Sequence, residues 1–287
     1  MHLIVDSGST KSDWVLLKDS SNESFHTMGL NPYFHNEDTV YEAIEKNEDL
    51  FAYRDSVTHL YFYGAGCSSD ELNSIIHGGL SRVFTNAHIV VDHDLRACAY
   101  ATYEDEPSIS CIIGTGSNSC FFDGENIIEE VPALGYILGD EGSGAYFGKK
   151  LVANYLYHKL PKRINDALKY DMGLTKDEIV RRVYMEKDAN VYLASFMKFI
   201  VQYADDDFIK EMIYNGFKEF IEAHVCCYQD YKNYKVHFIG SIAFLFKNQL
   251  SDACDFHRAQ MGQVIRKPID GLISYHLNKM KAESTSS

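Results

Sequence analysis

Two Gly/Ser turns, each set between a pair of apolar strands, constrain this chain more than any other feature. The first is SGSTKS, between His2–Asp6 and Asp13–Lys18. The second is GTGSNS, between Ile109–Ile113 and Cys120–Asp123. Short apolar runs separated by small residues predict a β-hairpin in each place. One hairpin opens each half of the chain, so the pattern reads as a degenerate internal duplication.

The remaining periodicity fills in the two halves. In the first, it predicts a helix over Val40–Tyr53 and a strand, His59–Tyr63, running into Gly64-Ala65-Gly66. A helix over Glu71–Val83, a strand Ala87–Val91 and a helix Leu95–Tyr103 follow, with Asp94 as N-cap. In the second, a helix runs from Ser143 to about Leu160, where Pro161 ends it. Lys176–His224 reads as almost entirely helical. Lys235–Ile239 is a strand, followed by Gly240-Ser241 and a helix from Ile242 to about Leu250. Pro268 precedes a terminal helix, Ile269–Lys281. The sum is an α/β protein with two similar halves and a helical insertion in the second.

Composition narrows the function. A chain of 287 residues suggests two domains, at roughly 150 residues per domain. The formal net charge of -14 argues against nucleic-acid binding, which draws its affinity from basic contacts to phosphate. It leaves room for a small anion held by local donors and Mg2+. The seven cysteines include no CxxC pair and read as reduced thiols, mostly buried. Closely spaced soft ligands for a metal or an Fe–S cluster are absent. The opening MHLIVDSGS has no basic or long apolar leader region, and no run approaches the ~18 apolar residues of a membrane span. A cytoplasmic location is the expectation.

Five segments carry chemistry. Strand β-geometry would deliver Asp6 to the mouth of a cleft, followed by a turn with backbone N–H groups, hydroxyls and one ammonium at Gly8, Ser9, Thr10 and Lys11. Those are the groups a polyphosphate needs, and the bland alternative is a polar hairpin. Asp6 is placed to hold Mg2+, through water. Gly114, Thr115, Gly116 and Ser117 repeat the hairpin without charge. GYILGDEGSG places Asp140 and Glu141 side by side, where they either bind a ligand or cap the following helix. Gly240 and Ser241, at a strand end, would let an adenine ring lie against the backbone, or form a tight βα turn. Asp94 could serve as general base, with Asp92 its rival.

Together the segments DSGSTKSDW, IIGTGSNS, GYILGDEGSG and FIGSIA resemble, in order, the motifs of the N-acetylglucosamine kinase and BadF-type ATPase family, within the sugar kinase, Hsp70 and actin superfamily. The resemblance implies two ribonuclease-H-like (actin-like ATPase) domains facing a central cleft, over residues 1–107 and 108–268. The terminal helix, 269–287, would pack back on the first. ATP would lie at the bottom of the cleft, with Thr10 and Lys11 on one side of its phosphates, Gly114–Ser117 on the other, and Gly240 and Ser241 beside the adenosine. Asp94 would take the proton from the 6-hydroxyl of the sugar. Asn31 in GLNPYF, the loop Gly64, Ala65 and Gly66, and Asn118 and Asp140 would meet the sugar. The implied substrate is an N-acetylated amino sugar, N-acetylglucosamine first, with N-acetylmuramic acid or glucosamine as alternatives. Leu134 stands where family members carry a Trp. A second implied class is an ATP-driven dehydratase or reductase activator with an Fe–S cluster between subunits, for which Cys67, Cys226 and Cys227 are the candidate ligands. A homodimer is left open.

Overall fold

In a computed structural model of the chain, which describes residues 1–8, 10–18 and 21–285, two units are resolved: Met1–Tyr103 with Pro268–Ser287, and Glu104–Lys267. The first is built on β1 (His2–Ser7), β2 (Lys11–Leu17), β3 (Asn22–Met28), β4 (His59–Gly64) and β5 (His88–His93), in the order β3-β2-β1-β4-β5. β1 to β3 form an antiparallel meander, and β4 and β5 run parallel to β1. Leu3, Ile4 and Val5 are successive and all fully buried. A continuous apolar run of this kind marks a strand covered on both faces. Leu3, Val5 and Trp14 pack with Val40, Ile44, Ile76 and Leu80 on one face. Ile4, Val15 and Leu17 pack with Ala97 and Leu272 on the other. Helices Glu37–Glu45 and Asp70–Val83 thus cover one face, and Asp94–Thr102 and Ile269–Thr285 the other.

The second unit repeats the plan. β6 (Ser108–Ile113), β7 (Ser117–Phe122), β8 (Ile127–Ile128), β9 (Lys235–Ile239) and β10 (Gln260–Ile265) have the order β10-β9-β6-β7-β8. β6 pairs antiparallel with β7 and parallel with β9, as β1 does with β2 and β4. The duplication inferred from two turns therefore extends to both sheets. β3, β8 and β10, which the sequence reading did not anticipate, complete them.

Several predicted helices are shorter than expected. Val40–Tyr53 is two helices, Glu37–Glu45 and Glu48–Phe51, because the Asn47 side chain accepts from Leu50 N–H and starts a new one. The segment expected as one helical stretch after Lys176 is broken into Lys176–Val180, a π-helical turn Arg181–Met185, Ala189–Ser195, Met197–Gln202 and Asp207–His224. Asp188, at φ 62°, and the N-capping Asp206 mark two of the breaks. The helix after Gly240 is likewise split into Ser241–Leu245 and Lys247–His257. Among the described residues, no helix is long and apolar enough to cross a membrane.

Candidate active site

In the first unit, the C-terminal ends of β1, β4 and β5 lie side by side. Ser7 pairs with Gly64, and Gly64 with His93. This edge of a sheet with parallel strands is where chain ends diverge into loops and ligands bind. It carries the turn after Ser7, the Gly64-Ala65-Gly66 loop and Asp94. Ser7 and Ser12, both fully buried, fasten the first hairpin from beneath. Their hydroxyls are 2.7 Å apart, Leu30 N–H donates to Ser7 Oγ at 2.9 Å, and Ser12 Oγ donates to Met28 O at 2.9 Å. The same bonds fix the segment leading into Asn31.

Asn31 is buried, and its Oδ1 accepts from Tyr33 N–H at 2.9 Å. Gly66, at φ 84°, lies against it: a Cβ there would sit 2.6 Å from Asn31 Oδ1. Asn31 and Gly66 are therefore contact neighbours. Ala65 N–H donates to Ser7 O at 2.9 Å, tying the loop to the end of β1. Gly8 and Thr10 are exposed at the turn, with Gly8 N–H donating to Lys11 O. Ser9 lies outside the described residues. The Lys11 ammonium is paired with Asp13 Oδ1 at 2.8 Å, which also meets His26 Nδ1 at 2.8 Å.

The two rival aspartates differ in their commitments. Asp92 holds Arg96 Nε at 2.6 Å and accepts from His93 N–H at 2.8 Å. Asp94 lies 2.9 Å from His93 Nδ1. Its sequence position predicts Asp94 as the N-cap of its helix. Instead His93 is the cap, its Nδ1 accepting from Leu95 N–H at 3.1 Å, and Asp94 is the first helical residue. Its carboxylate is thus not spent on capping.

In the second unit, the second hairpin is joined to the GDEGSG segment. Gly144 N–H donates to Gly114 O at 2.8 Å and Ala145 N–H to Thr115 O at 3.0 Å. Ser117 N–H points at Asp140 Oδ1, 3.3 Å away, and Ser117 Oγ donates to Glu141 O at 2.7 Å. Asp140 stands in a left-handed conformation at φ 58°, and a Cβ on Gly116 would be 3.0 Å from its carboxylate. Burial raises the Asp140 carboxyl above the ordinary range, the Ser117 N–H opposes this, and Glu141 adds to it. Neither acid caps the helix Gly144–Leu156. Ser143 does, accepting from Tyr146 N–H. Asn118 is buried and donates to Glu129 Oε2 at 3.2 Å.

Gly114, Thr115 and Ser241 line one pocket of about 380 Å³ with Gly144, Ala194, Met197, Lys198, Val201, Ile242 and Leu245. Gly240 forms the corner behind it. At φ 128°, with a would-be Cβ 2.2 Å from Ile113 O, the position admits glycine alone. The second hairpin and the Gly240-Ser241 turn thus share a concave, mostly apolar site within one unit. Its far wall, from the helices Ala189–Ser195 and Met197–Gln202, escaped the sequence reading. Val201 and Leu245, which line the pocket, keep 40% and 50% of their surface exposed.

Among the described residues, no group of three or more His, Cys, Asp or Glu side chains is set to hold a metal. Mg2+ on a nucleotide needs no such group, because it keeps several waters and uses one or two carboxylates. Asp6, half-buried at the end of β1 beside the hairpin, offers one hard oxygen donor.

Comparison with known proteins shows the family. No protein-family model matches the chain, and no curated protein matches it in sequence. A solved structure of a candidate N-acetylglucosamine kinase from Porphyromonas gingivalis is 36% identical, with a TM-score of 0.92, covering 97% of this chain and 99% of that one. The chain belongs to the N-acetylglucosamine kinase family of actin-like ATPases. Membership places it among the sugar-kinase phosphotransferases. A candidate N-acetylglucosamine kinase from Chromobacterium violaceum, 13% identical with a TM-score of 0.66, shares the fold over 96% of this chain and 98% of that one. So does a ROK family glucokinase from Streptomyces griseus, solved with glucose and AMPPNP, at 12% identity and a TM-score of 0.53 over 96% and 97%. As an N-acetylglucosamine kinase family member, this chain carries Leu134 more than half exposed, leading into the short helix Gly135–Leu138. Two of the cysteines considered for a cluster are poor thiolates: burial pushes the Cys67 thiol up to about 12 and the Cys227 thiol up to about 11.

Proposed function

We propose that the protein transfers the γ-phosphoryl group of ATP to the 6-hydroxyl of an N-acetylated amino sugar, N-acetylglucosamine before N-acetylmuramic acid or glucosamine. The observation that carries this reading is the meeting of Asn31, the Gly64–Gly66 loop and Asp94 on the edge that also bears the first hairpin. Asn31 and the loop would orient the sugar. Asp94 would accept the proton of the attacking hydroxyl, and Asp92, held by Arg96, is the weaker candidate. The adenosine would occupy the pocket beside Gly240 and Ser241, with Gly114–Ser117 beside the phosphates. Gly8, Thr10 and Lys11, at the first hairpin, would also contact phosphate. Asp140 and Asn118 would complete the sugar contacts. Asp6 would hold Mg2+ through water, and the ion would neutralise charge on the phosphates. Phosphoryl transfer asks for positioning and charge stabilisation rather than covalent help, and these are the groups on offer. Coupled ADP release from Mg-ATP with a panel of sugars tests the reading. It fails if no amino sugar raises the rate above the sugar-free background.

A further inference from the structure

Four side chains and carbonyls close a polar ring around the second hairpin. Ser117 Oγ donates to Glu141 O at 2.7 Å. The Glu141 carboxylate lies 3.4 Å from His224 Nε2. His224 O accepts from Ser119 Oγ at 2.6 Å. Ser117 and Ser119 flank Asn118 on β7, so the ring runs through the backbone of one proposed sugar contact, whose side chain lies on the opposite face with Glu129, and adjoins another, Asp140. His224 comes from the far end of the helix Asp207–His224 and is buried, its ring stacked on Phe220 at 5.0 Å.

The protonation of that ring follows from its surroundings. A carboxylate only accepts, so the nitrogen facing Glu141 must carry the hydrogen. The other nitrogen, Nδ1, is buried with no hydrogen-bond partner among the described residues. A bare lone pair there costs less than a buried N–H without an acceptor. Burial also favours the neutral ring, against the opposing pull of Glu141.

We propose that His224 is a positioning residue: its neutral Nε2–H fixes the Glu141 carboxylate and, through the ring, the placement of Asn118 and Asp140 toward substrate. The proposal rests on the phosphotransfer reading. His224 touches no substrate in it and acts through Glu141. Removing one charge-assisted donor should lower kcat/KM about 10- to 100-fold. The loss should fall mainly on kcat and on KM for the sugar, with a smaller change in KM for ATP, because of the ring residues only Ser117 is also a proposed phosphate contact and none lines the adenosine pocket.

The test has two arms on the full-length protein. In the first, long-range 1H–15N spectra of the histidine side chains read the tautomer. An Nε2–H signal for His224 that shifts in Glu141→Ala is expected, and an Nδ1–H tautomer overturns the proposal. In the second, His224→Phe keeps the stack on Phe220 but cannot donate, whereas His224→Gln puts an N–H at the Nε2 position. The Phe variant should show the stated loss. The Gln variant should stay within about threefold of wild type, since the donor is retained. His224→Phe combined with Glu141→Ala should be no worse than Glu141→Ala alone. Full activity in His224→Phe, or equal damage in Phe and Gln, overturns the proposal. A wild-type protein inactive on every sugar overturns the phosphotransfer reading instead, and the tautomer arm still decides the His224–Glu141 link.

Discussion

Gly66→Ala probes the proposed sugar side of the site through the contact between Gly66 and Asn31. At φ 84° any L-residue is strained, and the new Cβ would lie 2.6 Å from Asn31 Oδ1 and 3.0 Å from both Asn31 Cγ and a Tyr33 ring carbon. The backbone strain costs about 1–2 kcal/mol. If Asn31 turns away to relieve the clash, Tyr33 N–H loses its acceptor, at about 1–3 kcal/mol. Together these make about 2–5 kcal/mol, divided between a lower melting temperature and a displaced Asn31. If Asn31 holds the sugar, its KM should rise at least about tenfold, the equivalent of roughly 1.4 kcal/mol. KM for ATP should change little. Gly173→Ala is the control, since Gly173 shares a left-handed φ of 64° but a Cβ there meets nothing within 4 Å. Thermal melts and ADP-release kinetics at varied sugar separate the two effects. An unchanged sugar KM in Gly66→Ala, with melting lowered as in Gly173→Ala, would refute the placement of Asn31 at the sugar.

Three further outcomes follow from the geometry. Asp94→Asn should lower kcat by about 10²- to 10⁴-fold, the usual worth of a general base, with sugar binding by calorimetry much less affected; near wild-type turnover removes Asp94 from that role. Gly240→Ala should raise KM for ATP and lower the melting temperature, because its φ of 128° costs another residue about 1–3 kcal/mol before the collision with Ile113 O is counted; a normal melt and a normal KM would contradict the pocket corner. His276, buried with Nε2 2.9 Å from the Tyr63 hydroxyl, is lowered to about 4 by burial, with Lys279 and His2 adding to the effect. The unfolded chain then binds the extra proton first, so stability is full above the ordinary histidine range and falls as pH drops from about 6.5 toward 4. His276→Phe should flatten that acid limb in melts run against pH, and an unchanged limb would assign it to other groups.

The hairpins, the buried β1 and β6 and the ordered motifs were legible because each has a local signature: apolar runs, small turn residues and paired carboxylates. β3 was not, because NESFHTM buries only Phe25 deeply and forms its ladder as the outer partner of β2. β10 follows the αL residue Arg258 and holds no fully buried residue, so its pairing with β9 supplies what its sequence does not signal. The helical stretch after Lys176 looked continuous because its breaks use Asp188 and Asp206 rather than Pro or Gly. Asp94 was assigned a cap that His93 performs, since both residues can cap and only coordinates separate them. The pocket wall at Met197 and Val201, and His224 beneath the second hairpin, come from helices far along the chain. No local pattern links such residues to a turn at Gly114.

The most direct test of the proposed 6-phosphorylation of an N-acetylated amino sugar is to incubate the protein with Mg-ATP and N-acetylglucosamine and locate the new phosphate by 31P–1H correlation NMR. A coupling from phosphorus to the two C6 protons, formed in step with ADP, is the predicted result. Phosphate on another carbon, or ADP formed at the same rate without sugar, would overturn the proposed reaction.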